Sequence, residues 1–278
     1  MTTGSVLLAK GVRQLTDAGV PNAPRDARRL LAHATGVDAG RLTLILPEEV
    51  TEAAEARFAA VLQRRAAREP VSHILGYREF YGRKFKVNRH VLDPRPETEI
   101  LIEVALQQPY GGVIDLGTGS GCILLTLLAE MENAQGVGID LSEDACLIAE
   151  QNAIALGLEH RAAVLRSSWF DGLQGQVDLI VSNPPYIAPV EMSDLSPEVH
   201  DFEPHMALTD GVDGLNAYRE IVARAPDYLV AEGRIIFEIG PTQGEAVSQL
   251  LTAAGFGHVQ VIQDLDGRDR VVCAVKPS

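Results

Sequence analysis

The residues with the clearest chemical capacity form one run, Asn183-Pro184-Pro185-Tyr186, which directly follows an apolar stretch. The side-chain oxygen of Asn183 and the backbone carbonyl of Pro184 can each accept a hydrogen bond from the NH₂ of a bound amide or amine. Such a nitrogen is a poor nucleophile because its lone pair is delocalised, and two acceptors would hold it and aim that lone pair. Tyr186 could pack on a flat acceptor group. The run indicates chemistry at an amide or exocyclic amino nitrogen, although two prolines would also stiffen an ordinary turn.

A second candidate site is the glycine-rich run Gly117-Thr118-Gly119-Ser120-Gly121. Glycines between a strand and a helix let the backbone approach a ligand closely, and the first turn of the helix offers unpaired N–H groups. Taken alone, the run is compatible with NAD, FAD or S-adenosylmethionine as ligand, or with a tight structural turn.

Two further side chains belong with the glycine-rich run. Asp140 ends the next apolar strand, where a carboxylate typically accepts the ribose hydroxyls of a nucleoside. It could equally favour the N-terminus of the following helix, and the two roles are compatible. Trp169 is the only tryptophan, and its spacing fits either a stacking partner for adenine or a core residue. Asp115 and Glu238 also end predicted strands at this edge, and their roles stay open.

The elements that must position these residues alternate between strands and helices from residue 111 onward. Strands are predicted at 113–116, 136–140, 163–166, 177–181, 234–239, 258–262 and 270–275, with helices at 122–130, 142–156, 215–229 and 244–254. Strands separated by helices predict a parallel sheet. The last two strands are joined by a short Asp/Gly loop that cannot form a parallel crossover, so the last strand must run antiparallel.

The N-terminal part has a different character. Residues 1–70 show helical spacing of apolar residues, with Thr51 as an N-cap candidate. Alternation around Gly82 then predicts a β-hairpin within 79–92. We therefore predict three parts, a helical bundle at 1–75, a hairpin linker at 76–95 and an α/β domain at 96–278.

Charge divides the chain in the same way. The formal net charge is −14, but residues 1–90 carry 15 basic and 9 acidic side chains whereas the remainder carries 9 and 29. The net charge argues against nucleic acid as the main partner, and the asymmetry indicates a domain boundary and a candidate docking partner. The N-terminal arginines, among them Arg25, Arg28, Arg29, Arg64, Arg65 and Arg68, are either simply solvated or form a docking face for an acidic protein.

The cysteines and the apolar runs limit the class of protein further. Cys122, Cys146 and Cys273 lie far apart in apolar stretches, so we expect no disulfide framework, no cysteine-based zinc site and no other metal. No apolar run reaches the length of a membrane helix. We expect a cytoplasmic protein.

One glycine-rich run followed by a sheet that ends in an antiparallel hairpin resembles the class I S-adenosylmethionine-dependent methyltransferases. Their Rossmann-like sheet has seven strands in the order 3-2-1-4-5-7-6, with strand seven reversed. With neighbouring strands about 4.8 Å apart, that order would put Asp140, the glycine-rich run and Asn183 in a row roughly 10 Å long at one edge of the sheet. Such a row suits a ligand that extends from adenosine to a sulfonium.

Several motifs carry a more specific resemblance. They are Asn183-Pro-Pro-Tyr186, Pro94-Arg-Pro-Glu-Thr-Glu99, Asp115-Leu-Gly-Thr-Gly-Ser-Gly121, Glu79-Phe-Tyr-Gly82 and Glu203-Pro204. Together they resemble the HemK family, peptide chain release factor N(5)-glutamine methyltransferases, over about residues 70–275.

The resemblance implies an enzyme that transfers a methyl group from S-adenosylmethionine, with S-adenosylhomocysteine as product. The acceptor would be the amide nitrogen of the glutamine in the Gly-Gly-Gln motif of a release factor. It also implies that Gly117 to Gly121, Asp140, Trp169 and Asn183 bind the cofactor. Asn183, Pro184, Pro185 and Tyr186 would hold the substrate glutamine.

Two other functions remain as alternatives. The Asn-Pro-Pro-Tyr motif also resembles that of amino-methyltransferases that act on a base of DNA or RNA. A net charge of −20 over 91–278 would, however, repel the phosphates of such a substrate. A cofactor-binding scaffold without activity is the other alternative, and a turnover assay would distinguish it.

Overall fold

The computed structural model describes residues 2–278, which form two compact units. The first unit contains the chain up to Tyr77 together with Ser196–Phe202, and the second contains Arg78–Leu195 and Glu203–Ser278. The sequence gives no sign that Ser196–Phe202, in the middle of a Pro- and Asp-rich segment, belongs with the N-terminal helices.

The first unit is a small helical bundle. Its elements are β1 (Thr2–Thr3), α1 (Gly4–Asp17), α2 (Ala23–Thr35), α3 (Leu42–Ile45), β2 (Glu49–Val50), α4 (Glu52–Ala66), α5 (Val71–Leu75) and the single helical turn α9 (Pro197–His200). The predicted N-cap is confirmed, because the Thr51 hydroxyl accepts a hydrogen bond from the amide of Ala54 at 3.3 Å. Apolar side chains at helical spacing, such as Leu7, Leu30 and Phe58, form one buried core.

A buried arginine joins the separate segment of this unit to its helices. Arg65 is 5% exposed; its Nε donates to Asp26 at 2.8 Å and its Nη2 donates to Glu198 at 2.9 Å. Arg68 donates to the other oxygen of Glu198 at 2.6 Å. A buried guanidinium is costly unless it is paired, and Asp26 and Glu198 each pair with this one. These ion pairs therefore hold α9 within the bundle.

The second unit contains the predicted hairpin, apart from its first residue Tyr77, and continues as an α/β domain. Its elements are β3 (Tyr77–Phe80), β4 (Arg83–Lys86), α6 (Glu99–Leu106), β5 (Gly112–Leu116), α7 (Cys122–Glu130), β6 (Gln135–Asp140), α8 (Glu143–Ala155), β7 (Ala162–Arg166), β8 (Val177–Ser182), α10 (Asn216–Tyr228), β9 (Leu229–Glu238), α11 (Gly244–Ala253), β10 (Gly257–Gln263) and β11 (Asp269–Val275).

The sheet has the expected seven-stranded topology. The strand order is β10-β11-β9-β8-β5-β6-β7, which is the order 3-2-1-4-5-7-6 read from the other edge. The neighbouring strands β7, β6, β5, β8 and β9 run parallel to one another. Strand β11 is antiparallel to both of its neighbours, β9 and β10. Leu116 pairs with Ile139 on one side and with Ser182 on the other, so the carboxyl ends of β6, β5 and β8 lie together.

Helices cover both faces of this sheet. Successive strand residues alternate between two buried cores: Val113 and Leu179 face one core, and Ile114 and Ile180 face the other. The predicted strand boundaries differ most in β9, which begins at Leu229 rather than at residue 234. Alternation is weak in that stretch because the residues before Gly233 include exposed Ala231 and Glu232.

Candidate active site

The glycine-rich run forms a loop between β5 and α7 that only glycines can adopt without strain. Gly117, Gly119 and Gly121 have φ angles of 74°, 54° and 78°, in the left-handed region that disfavours side chains. A Cβ atom on Gly117 or Gly119 would meet no atom within 4 Å. The loop therefore leaves open space against its backbone, which a ligand can approach.

Asp115, near the end of β5, anchors this loop. Its side chain is fully buried, and its Oδ2 accepts hydrogen bonds from the Thr118 hydroxyl at 2.7 Å and from the Leu124 amide at 3.3 Å. Burial raises the pKa of Asp115 to about 7, and the two hydrogen bonds oppose that rise. The role that the sequence left open for Asp115 is thus to anchor the loop.

Asp140 bridges the loop and the next helix at the end of β6. Its Oδ2 accepts from the Gly119 amide and its Oδ1 accepts from the Ser142 amide, both at 2.9 Å. Burial raises the pKa of Asp140, and these backbone hydrogen bonds lower it. An ionised carboxylate has about four acceptor positions, so Asp140 retains capacity for two further donors on its cavity side.

Trp169 lies beyond β7 and has an unusual backbone. Its φ is 47°, which is rare for a bulky residue. The indole N–H donates to Oε2 of Glu220 at 2.7 Å. The ring is half-buried, contacts one of the two cores and also lines the cavity described below. It is not a simple core tryptophan.

The Asn183-Pro-Pro-Tyr186 run leaves β8 at its carboxyl end. Within residues 2–278, the side-chain amide of Asn183 takes part in no hydrogen bond, so its oxygen and nitrogen are both available to a ligand. Tyr186 turns toward the core, and burial raises the pKa of its phenol to about 12. Its backbone carbonyl accepts from Nε2 of Gln243 at 2.9 Å, which fixes the end of the run.

A cavity of about 370 Å³ brings most of these residues together, a size within the range of small-molecule sites. Among the residues singled out from the sequence, its lining includes Gly117, Thr118, Gly119, Ser120, Asp140, Trp169, Asn183 and Pro185. Gly121, Pro184 and Tyr186 do not line it. Gly121 serves as the N-cap of α7, and Tyr186 packs against the core.

Several lining residues were not predicted individually. Arg95 lines the cavity, and its Nη2 lies 2.7 Å from both carboxylate oxygens of Glu203. Burial raises the pKa of Glu203 to about 7 despite this arginine, and Asp93 adds to the rise. Arg95 belongs to the motif Pro-Arg-Pro-Glu-Thr-Glu and Glu203 to the motif Glu-Pro, so the sequence motifs could have indicated that both lie at the site. Glu220 and Asn216 also line the cavity, and no pattern in the sequence marks them.

Glu238 ends β9 and does not line the cavity. It is 1% exposed, and burial raises the pKa of its carboxyl to about 7 although Thr98 donates a hydrogen bond to it. Its Oε2 has no hydrogen-bond partner among the described residues. Such a group is held in its neutral form in the folded protein more readily than in the unfolded chain.

The donor and acceptor set fits a nucleoside cofactor. Open space over the glycine loop, spare acceptor capacity on Asp140, an aromatic face at Trp169 and the unbonded amide of Asn183 all border one cavity. Among residues 2–278, no group of three or more His, Cys, Asp or Glu side chains could hold a metal ion. Nor does any helix in that range have the length and apolar character needed to cross a membrane.

Comparison with known proteins agrees with the fold. Residues 7–76 match the family described as PrmC N-terminal domain, and residues 91–197 match the methyltransferase small domain. A solved structure, a methyltransferase from Pyrococcus furiosus, aligns with 80% of this chain and 99% of its own at a TM-score of 0.56 and 15% identity. That likeness supports the fold alone.

Curated relatives are much closer in sequence. A release factor glutamine methyltransferase from Cereibacter sphaeroides is 54% identical over 98% of both chains. One from Rhodospirillum rubrum is 43% identical over 96% of this chain and 83% of its own. The fold and the cofactor-sized cavity define a class I S-adenosylmethionine-dependent methyltransferase. Within that class, the chain belongs to the release factor glutamine methyltransferase family, which is the HemK family that its sequence motifs resemble.

Proposed function

We propose that this enzyme transfers a methyl group from S-adenosylmethionine to the side-chain amide nitrogen of a glutamine in a peptide chain release factor. The target is the glutamine of the Gly-Gly-Gln motif. Relatives that match nearly the whole chain carry this activity in their names. The observation that carries the proposal is the unbonded amide of Asn183 at the end of β8, on the wall of the cavity.

The chemistry asks for orientation more than for acid–base strength. S-adenosylmethionine, when bound, supplies a methyl group already activated on a sulfonium. The Asn183 oxygen and the Pro184 carbonyl accept hydrogen bonds from the substrate NH₂, which holds the nitrogen and directs its lone pair into the cavity. Fixed dipoles of this kind do not reorganise during the reaction, so they favour the transition state. Pro185 and Tyr186 keep the run rigid.

The proposed cofactor site extends along the carboxyl ends of β6, β5 and β8. The backbone of Gly117 to Gly121 lies against the methionyl part, and Asp140 accepts the ribose hydroxyls. Trp169 supplies an aromatic face for the adenine, and Asn183 lies at the reactive end. Support comes from the shared cavity and from the left-handed glycines, which leave room for a ligand against the loop.

Recognition of the whole factor falls to the first unit. A site for one amide cannot distinguish a glutamine among thousands, so selectivity requires a surface outside the cavity. The bundle carries the excess of basic side chains, whereas residues 91–278 are strongly acidic. This charge also disfavours DNA or RNA as the substrate. We place the enzyme in the cytoplasm, since its three cysteines are free and its proposed substrate is a translation factor.

The test is incubation with labelled S-adenosylmethionine and three acceptors: an intact release factor, the same factor with Ala in place of the Gly-Gly-Gln glutamine, and mixed DNA and tRNA. Mass spectrometry then maps the label. We expect label on the glutamine amide nitrogen and none on the substituted factor. Label on nucleic acid with an unlabelled release factor would disprove the proposal.

A further inference from the structure

Trp169 needs a partner that fixes its indole. It is half-buried at the cavity wall, and its left-handed backbone, with φ of 47°, is an unfavourable conformation for an aromatic residue. The loop around it is held by bonds that do not involve the indole. The Ser167 hydroxyl donates to the Asp171 carbonyl at 2.6 Å, Arg224 donates to the Asp171 carboxylate at 2.7 Å, and the Tyr228 hydroxyl donates to the Phe170 carbonyl at 3.3 Å. The ring position must be set by contacts of the side chain itself.

Glu220, on the cavity side of α10, makes that contact. Its Oε2 accepts from the indole N–H at 2.7 Å, and its Oε1 accepts from Nδ2 of Asn216 at 2.8 Å, one turn earlier on the helix. Each carboxylate oxygen therefore has its own donor, so the carboxylate cannot rotate without losing one of them. Hydrogen bonds to an ionised acceptor are among the stronger ones in proteins.

The start of α10 is itself fixed. Asp210 accepts hydrogen bonds from the amides of Val212, Gly214 and Asn216 at 2.9, 3.0 and 2.7 Å. These bonds lower the pKa of Asp210 although burial raises it, so the carboxylate stays charged. The helix turn that carries Asn216 and Glu220 thus has a defined position at the cavity wall.

We propose that Glu220 is a positioning residue that holds Trp169 in the orientation required to receive the adenine of the cofactor. The inference rests on the cofactor site of the proposed function. Because the indole N–H is engaged by Glu220, the ring offers its face to the cavity, and a stacked ring loses little freedom on binding when it is already ordered. Removal of the carboxylate frees the ring, and the cofactor must then order it.

The test needs no methyl transfer, because Trp169 is the only tryptophan and reports its own mobility. Two quantities are measured in the full chain: the anisotropy decay of tryptophan emission without ligand, and the Kd of S-adenosylhomocysteine by calorimetry. Glu220→Ala should show faster indole motion and a Kd raised about tenfold, the loss of roughly 1.4 kcal/mol. Glu220→Gln keeps an acceptor oxygen and should stay within about threefold of the wild type.

Glu245→Ala is the matched control. Glu245 is an exposed glutamate on α11 whose Oε1 accepts from Nε2 of Gln249, one turn along the helix, at 3.1 Å. Its removal deletes a similar side-chain bond far from any tryptophan partner and should change neither quantity.

The decisive measurement is the double variant with Trp169→Phe, which keeps a ring but lacks the N–H. In that background Glu220→Ala should have no further effect on the Kd, because the contact it removes is already absent. An equal loss of affinity in both backgrounds would mean that Glu220 acts by another route, and an unchanged Kd in Glu220→Ala would also overturn the proposal. Failure of the proposed function would instead appear as intact binding without methylation of a release factor.

Discussion

Asn183 and Asp140 differ in how much of their hydrogen-bonding capacity the protein already uses. Asp140 accepts one backbone amide on each oxygen, so it is part of the scaffold as well as of the proposed ribose site. Asn183 has no such bond in the described chain although it lines the cavity. A side chain that the fold does not use can be replaced with little cost to stability.

We therefore expect Asn183→Ala to lower the rate of transfer by about 10²–10³-fold, as for the loss of one fixed partner of a reacting group. The unfolding temperature should hardly change. The measurement is a single-turnover assay on an intact release factor, with the Kd of S-adenosylhomocysteine as the control for binding. Activity within about threefold of the wild type would remove Asn183 from the reaction.

Glu238 makes stability depend on pH. Its pKa, about 7 in the folded protein, lies above the value near 4.5 of an exposed glutamate. The folded state therefore binds this proton more tightly, and the stabilisation is full below about pH 4.5 and is lost as the pH rises through 7. Glu238→Gln is neutral at every pH. The free energy of unfolding of the variant minus that of the wild type should therefore be larger at pH 8 than at pH 5, by on the order of 1–3 kcal/mol.

Urea unfolding at pH 5, 6, 7 and 8 measures this difference. Glu245→Gln, at an exposed site, serves as the control and should show no trend with pH. A constant difference between Glu238→Gln and the wild type at every pH would show that the Glu238 carboxyl does not titrate in this range.

At the scale of elements, the loop after β8 depends on a close backbone approach. A Cβ atom on Gly214 would lie 2.3 Å from the carbonyl oxygen of Tyr186, closer than any real contact. Gln243 donates from one nitrogen to the carbonyls of both residues, at 2.9 and 3.0 Å. The start of α10 and the end of the Asn-Pro-Pro-Tyr run are thus packed directly against each other.

Gly214→Ala should displace this run and lower transfer at least tenfold, with a smaller effect on cofactor affinity. Gly211→Ala is a matched control in the same loop, because its φ of 75° equals the 77° of Gly214 within two degrees and a Cβ there meets nothing within 4 Å. Both variants incur the left-handed backbone strain, roughly 1 kcal/mol or more, but only one carries the clash. Equal activity of the two variants in a steady-state assay would contradict the role of this contact.

The strand and helix pattern was largely predictable, and the long-range side-chain contacts were not. Apolar strands separated by helices predicted the parallel part of the sheet, and the short loop between β10 and β11 predicted the reversed strand. By contrast, Glu220 meets Trp169 across 51 positions of sequence, and Gln243 meets Tyr186 across 57. Glutamates and glutamines recur along the chain, so nothing local distinguishes Glu220 and Gln243 from the others.

At the scale of the whole molecule, fewer arginines of the bundle are available for a partner than the sequence suggests. Arg64, Arg65 and Arg68 are paired with acids of the same unit, and Arg28 donates to Thr43. Of the arginines considered, this leaves Arg25 and Arg29, whose side chains have no bond or ion pair in the described chain. They lie one turn apart on α2 and share a face.

Reversal of both charges, Arg25→Glu with Arg29→Glu, should raise the KM for an intact release factor about tenfold at low salt. The kcat and the activity on a short glutamine peptide should stay unchanged, since rim charges act on encounter. Added salt should reduce the difference. An equal charge change at exposed positions of the other unit, Lys84→Glu with Arg268→Glu, is the control, and an equal effect of the two pairs would argue for net charge alone.

Synthesis of the chain gives the pairing of Arg65 with Glu198 a further consequence. The two residues are 133 positions apart, and at 5–20 residues per second the ribosome needs roughly 7–27 s to add that stretch. During this time the bundle must hold a buried guanidinium with Asp26 as its one carboxylate. We expect nascent chains arrested after Ala155 to be cut within α4 by protease faster than full-length chains, whereas equal cleavage would mean that the bundle is complete before Glu198 arrives. The N-terminal helices are thus the first part of this protein to be made but not the first part to be finished.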